Sequence, residues 1–272
     1  MPSWQAGRRP TKRHSQRALL ALLLGLSLVP ACAARPLAEP FATGLNQPRG
    51  MTFDDAGNLF VAEAGVRAAP AGGRPNGRVV RVGKHGQLTV AVDSLPFAHL
   101  PDHGDVGAAD VSMIAGALYV LTGEGRDALS RSVLRALPDR SAQPIASLLN
   151  FAAAGLSRDL IGSGLVAANP YSMVAAPDGS ALYVADGASG RILRVSLGGA
   201  IQLFAELPGM PPLAGIAFGP DGRLYIANFS ALPHAPGSGA IWAADRSGKL
   251  ALAAENLTMP IDVGFDAAGA MY

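Results

Sequence analysis

The chain has 272 residues, 15% of them charged, with 33 glycines and 21 prolines. That length holds one large all-β domain or two ordinary ones, and the mixture suits short strands joined by tight turns rather than long helices. The formal net charge of +2 rests on Arg8, Arg9, Lys12, Arg13 and Arg17, which share residues 1–31 with no acid; without them 17 basic residues face 20 acidic ones, a net of −3. A nucleic-acid footprint needs a basic patch, so no nucleic acid is expected as a partner.

The basic stretch leads into an apolar run over residues 18–29 and then into Ala31-Cys32-Ala33-Ala34. A dozen apolar residues match the core of an export signal and are short for a membrane span. Residues 1–33 are therefore expected to direct the protein out of the cytoplasm: periplasmic, secreted or membrane-anchored. Cys32 is the only cysteine, which excludes an intramolecular disulfide. Two readings of it stay open: lipidation at Cys32, the one route to a membrane, or cleavage after Ala33, which removes it. The remaining residues, 34–272, read as one domain.

From residue 48 a repeat begins. Pro48-Arg49-Gly50-Met51-Thr52-Phe53 is an apolar strand introduced by a kink, Asp55-Ala56-Gly57-Asn58 a hairpin turn, and Leu59-Phe60-Val61-Ala62-Glu63 a second strand whose alternation suits packing on one face. A Gly/Pro/Ala-rich loop over 64–77 precedes strands at 78–82 and 87–92, and a His/Asp-rich loop is expected over 97–107. The second copy runs through strands near 109–113, 118–122, 132–136 and 144–148. Apolar residues at near-helical spacing (Leu148, Leu149, Phe151, Leu156, Leu160) predict a short helix over 148–160. The third copy places strands at 170–175, 182–186, 191–195 and 200–206, and the fourth at 213–218, 224–228, 240–244 and 250–255. A fifth opens at Pro260-Ile261-Asp262-Val263-Gly264-Phe265 and reaches Met271-Tyr272.

Equivalent leucines are 59, 64 and 42 residues apart, and Met271 follows after 47. Four strands per repeat is the plan of a β-propeller blade. The expectation is an all-β propeller of the six-bladed type. Four full blades and the start of a fifth are present, residues 37–43 are available as an outer strand of the last blade, and the chain is expected to be C-terminally incomplete.

Several stretches carry a family resemblance: residues 42–50 (Ala-Thr-Gly-Leu-Asn-Gln-Pro-Arg-Gly), Asp110-Val111-Ser112, Leu121-Thr122-Gly123-Glu124-Gly125, Asn169-Pro170-Tyr171 and Ile261-Asp262-Val263-Gly264-Phe265. The hairpin pattern is similar to NHL-type and gluconolactonase-like six-bladed propellers. In the order of its blades and insertions it resembles the ScyD/ScyE family of exported bacterial propellers, from about residue 37 onward. The resemblance implies a propeller outside the cytoplasm and implies no settled reaction.

One repeat position varies, holding Gly50, Asp110, Ser172, Gly215 and Asp262. It begins the innermost strand, so Asp110 and Asp262 should approach one mouth of the central channel, with Asn169 and Tyr171 at the same level. These four are the ligand-binding candidates. Oxygen ligands converging there suit Ca²⁺ or another divalent cation, whereas aspartates at such positions also cap turns or accept from backbone amides. Gluconolactonase-like propellers use a Glu, an Asn and an Asp, and Gly50 at the first-blade position leaves that acidic triad incomplete. His99, Asp102, His103 and Asp105 cluster in one loop, which makes His99 and His103 further metal candidates. Glu63, Thr122, Asp186 and Asn228 end the second strands and are expected to satisfy backbone at turns. No catalytic residue is assigned. The leading expectation is a non-enzymatic extracytoplasmic binding or scaffold propeller taking a small molecule or protein at the channel mouth. The rival is a metal-dependent hydrolase or lactonase acting at the same mouth.

Overall fold

Four antiparallel sheets of four strands follow one another along the chain. The computed structural model describes residues 39–65, 76–101, 104–153 and 168–272. Blade 1 holds β1 (Pro48–Phe53), β2 (Leu59–Glu63), β3 (Gly77–Val82) and β4 (Leu88–Leu95), paired in that order. A small hairpin of β5 (Ala98–Leu100) and β6 (Gly104–Val106) stands between it and blade 2. Blade 2 holds β7 (Ala108–Ile114), β8 (Ala117–Thr122), β9 (Ser132–Ala136) and β10 (Ala142–Ser147), followed by α1 (Leu148–Ala153). Blade 3 holds β11 (Pro170–Ala175), β12 (Ala181–Asp186), β13 (Arg191–Ser196) and β14 (Ile201–Glu206). Blade 4 holds β15 (Leu213–Phe218), β16 (Leu224–Asn228), β17 (Gly239–Ala244) and β18 (Leu250–Leu257). A fifth hairpin begins where Phe265 bridges Met271, with Gly264 and Tyr272 exchanging backbone hydrogen bonds of 2.9 and 3.0 Å.

The turns are made by the chemistry their sequence announces. In the β1–β2 turn, Asp54 Oδ1 accepts the amides of Ala56 (3.0 Å) and Asn58 (2.8 Å), while Gly57 takes φ 77°. Asp178 and Asp221 repeat the device, accepting the amides of Ser180 and Arg223.

The repeated second-strand phrase is buried on both faces, not one. In β8, Val120 packs toward Ala62, Val79 and Val92 of blade 1, and Leu121 packs toward Met173, Leu182 and Val184 of blade 3. Similar clusters join blade 3 to blade 4 through Ile192, Leu207, Ile216 and Leu224, and blade 4 to the fifth hairpin through Tyr225, Ile241 and Val263. A sheet sandwiched between two others reads as a nearly continuous apolar run. Each fully buried Leu or Ile contributes about 1.5–3 kcal/mol, so the blade-to-blade seams are the core.

Two segments differ from the sequence expectation, and a third is described only in part. Residues 97–107 are not simply a loop, since β5 and β6 pair within them. Residues 39–43 form no strand; Phe41 instead runs past the β3–β4 turn, its carbonyl where a Cβ on Gly86 would fall. The helix is described over Leu148–Ala153, and the rest of the expected span to 160 lies outside the described residues. Residues 41–272 form one compact unit; of the other unit, Met1–Pro40, only Glu39 and Pro40 are described, so the expected export signal and Cys32 lie outside the described residues. Among the described residues no helix is long and apolar enough to cross a membrane.

Candidate functional site

The innermost strands β1, β7, β11 and β15 all carry a break in register at their start. A bulge lets one residue leave the ladder and re-aims its side chain. The bulge regions contain the variable position: Gly50, Asp110, Ser172 and Gly215. The amide of the residue that follows is thereby offered to a side chain.

Asp110 shows the result. Its Oδ1 accepts the amide of Val111 in its own strand (2.8 Å), and its Oδ2 accepts the Met173 amide of blade 3 (2.7 Å) and the Ser172 hydroxyl (3.1 Å). Ser172 Oγ in turn accepts the Ile216 amide of blade 4 at 3.4 Å. One chain of hydrogen bonds thus ties three blades at the channel. The side chain at the variable position of one blade satisfies the next blade's bulge amide. Burial pushes the Asp110 carboxyl up to about 7; the two amides and the hydroxyl oppose the rise, and the negative charge of Asp262 adds to it.

Asp262 repeats the first half of this arrangement. Its Oδ1 accepts the Val263 amide at 2.8 Å, as Asp110 does with Val111. In the blade before each aspartate the variable position is a glycine, for a steric reason. A Cβ on Gly50 would fall 1.8 Å from Asp110 Oδ1, and one on Gly215 would fall 2.0 Å from Asp262 Oδ1. Asp110 and Asp262 therefore share the bond to the amide that follows each of them, and Asp110 also has its second carboxylate oxygen engaged by donors of the next blade.

A cavity of about 640 Å³ opens over these strands, lined by Asp110, Asn169, Tyr171 and Asp262 together with Arg49 and Glu124. The structure thus brings all four sequence candidates to one mouth. Asn169 uses its backbone locally, its amide donating to Asp186 Oδ1 (2.8 Å) and its carbonyl accepting from Gly187 (2.8 Å). Among the described residues its side-chain amide has no hydrogen-bond partner, nor has the Tyr171 hydroxyl, and Tyr171 is 42% exposed. Arg49 and Glu124 are mouth residues that sequence reasoning missed as sites. Arg49 donates through Nη2 to the Asp105 carbonyl at 3.0 Å, and Glu124 is nearly buried. Their one sequence signal was adjacency to the motifs around Gly50 and Thr122.

The polar ends of the second strands hold backbone in place. Glu63 is fully buried, pairs with Arg78 and accepts the Asn46 amide (2.6 Å); Asp186 accepts the amides of Asn169 and Ala188. Thr122 accepts the Ser132 amide (3.0 Å), and Asn228 the Ser230 amide (3.1 Å). His99 and Asp105 stand directly opposite in the β5–β6 hairpin, Nδ1 2.7 Å from Oδ1, and Gln47 Nε2 donates to Asp105 Oδ2 (2.7 Å). Among the described residues no group of three or more His, Cys, Asp and Glu is placed to hold a metal ion. Asp102 and His103 lie outside the described residues.

No family model and no curated relative matches the chain. Solved structures do. Virginiamycin B lyase from Staphylococcus aureus superposes with a TM-score of 0.55 at 16% identity, covering 83% of this chain and 62% of that one. A gluconolactonase from Xanthomonas campestris gives 0.53 at 18% identity, covering 82% and 66%. A chain of a nidogen/laminin complex gives 0.52 at 13% identity, covering 79% and 67%. The chain thus spans under two thirds of the lyase's length. Likeness at this identity shows the fold, a β-propeller of four-stranded blades, and nothing finer. Two enzymes and a member of a protein complex share it, which is why function has to be argued from the site.

Proposed function

We propose that the protein is an extracytoplasmic binding propeller whose ligand, a small molecule or a protein segment, sits at the channel mouth against Asn169 and Tyr171. The observation that carries this reading is the engagement of Asp110. A Ca²⁺ site gathers six to eight oxygens turned toward one point. Here the most buried carboxylate of the mouth is turned toward the amides of Val111 and Met173 and the Ser172 hydroxyl. What remains for a ligand is an exposed aromatic ring and a side-chain amide, in a cavity of ordinary ligand size that Arg49 and Glu124 also line. Export rests on the basic-then-apolar pattern of residues 8–29, and a membrane would be reached only through Cys32. The order of motifs, which resembles that of ScyD/ScyE propellers, supports a place outside the cytoplasm.

One observation favours the rival, a metal-dependent hydrolase or lactonase. The Glu124 carboxylate lines the same cavity as Asn169 and Asp262. Metal analysis of the purified protein, with Asp262→Ala as control, separates the two. Absence of a stoichiometric divalent ion is the expected result. One bound ion per chain, lost in Asp262→Ala, overturns the binding reading in favour of the enzyme.

A further inference from the structure

The hydrogen-bond chain between blades has two open ends. In four repeats the amide after the variable position reaches a side-chain acceptor: Val111 and Met173 to Asp110, Ile216 to Ser172, and Val263 to Asp262. The fifth such amide is that of Met51. Among the described residues no side chain accepts it, because the neighbouring variable position is Gly50. At the other end, Asp262 uses one oxygen on Val263, while the oxygen corresponding to Asp110 Oδ2 accepts nothing among the described residues. Both ends line the same cavity. Both are flanked by apolar side chains left exposed among the described residues: Met51 (65% exposed) and Phe53 (62%) on β1, and Ile261 (61%) beside Asp262.

We propose that Asp262 and Met51 frame a docking position for one further inner β-strand, and that this strand carries Ser or Thr at the variable position followed by an apolar residue. The pattern inside the molecule specifies this occupant. Between Asp110 and Gly215 stands β11, whose Ser172 donates its hydroxyl to Asp110 Oδ2, whose Met173 amide donates to the same oxygen, and whose Ser172 Oγ accepts the Ile216 amide next to Gly215. A strand of that kind between Asp262 and Gly50 makes the same three bonds: hydroxyl and amide to the open Asp262 oxygen, and Oγ accepting from Met51. The variable positions then run Gly, Asp, Ser and again Gly, Asp, Ser or Thr around the channel. Gly50 has no Cβ for the reason Gly215 has none: the next side chain, Asp110 or Asp262, fills that space. Valine at the docked position has the bulk but neither donates nor accepts, so the surface selects a hydroxyl rather than apolar bulk alone.

The test uses the full chain and a synthetic peptide copying residues 169–175, the chain's own hydroxyl-bearing inner strand, with hydrogen exchange at the Met51 amide as readout. The peptide is expected to protect that amide saturably. A peptide with Ala in place of the serine, or the Asp262→Asn protein with the original peptide, should bind about tenfold more weakly, the size of one lost hydrogen bond of this kind. Equal protection by the serine and alanine peptides overturns the proposal, as does a Met51 amide left unprotected at saturating peptide. Protection that appears without peptide and grows with protein concentration also overturns it, because a second copy of the chain is then the occupant. Melting of Asp262→Asn alone checks that the variant is folded.

Discussion

A Cβ on Gly50 would stand 1.8 Å from Asp110 Oδ1 and 2.8 Å from Asp110 Cα. The two residues are 60 positions apart and belong to neighbouring blades, yet neither side chain can be chosen without the other. Gly50→Ala is therefore expected to destabilise the fold by about 1–3 kcal/mol through overpacking. Denaturant melts of Gly50→Ala, Asp110→Gly and the double variant check the coupling. The double variant should lose less than the sum of the single losses.

Asp110→Ala removes the acceptor of two amides and a hydroxyl in a buried place. A loss of about 2–4 kcal/mol is expected from orphaning those donors. Asp262→Ala removes one bond at an exposed position and should cost under about 1 kcal/mol. Equal losses in the two variants would contradict the assignment of Asp110 as the tie between blades.

The pH dependence of stability should have two limbs of opposite sign. Asp110 has its folded carboxyl raised to about 7 from an ordinary 3.8, so the folded state binds the proton more tightly than the unfolded one. Its contribution is fully present below about pH 3.8 and is lost as pH rises through about 7. The turn aspartates Asp54, Asp139, Asp178, Asp221, Asp245 and Asp266 are held below 3.8, most of them chiefly by hydrogen bonds from the residues that follow them. Their contribution is present above 3.8 and lost as pH falls below it. Thermal melts across pH 3–8 should show Asp110→Asn flattening the limb between about 4 and 7 and leaving the acid limb in place.

Tyr171 is exposed and its hydroxyl bonds to nothing among the described residues, so Tyr171→Ala should change stability by less than about 0.5 kcal/mol. The same variant should abolish binding of aromatic probes at the mouth. Saturation-transfer NMR with phenol and indole checks this, and unchanged transfer in the variant would move the ligand site elsewhere.

Much of the fold was legible because its signals are local. Hairpin turns such as Asp54 to Asn58 and Asp221 to Arg223 are built by residues two to four positions apart. The apolar second strands announced themselves as well, though burial on both faces shows only once Val120 and Leu121 are seen facing different blades. The β5–β6 hairpin was not legible: three-residue strands are too short to show a period, and the Gln47–Asp105 contact that helps hold it is tertiary. At the site, repeat alignment brought Asp110, Asn169, Tyr171 and Asp262 to one mouth. It did not reveal what Asp110 does there, because its partners Ser172 and Met173 are 62 and 63 residues away and bond through a bulge. Nothing in a one-dimensional pattern distinguishes a carboxylate turned to amides from one open to a cation.

The central claim is that Asp110 ties blades together and does not hold a cation. Melting temperature measured across a calcium titration tests it most directly, in the wild type and in Asp110→Asn. Asp110→Asn is expected to melt lower at every calcium concentration, by the same margin throughout. A calcium-dependent rise in the wild type that vanishes in Asp110→Asn would contradict it.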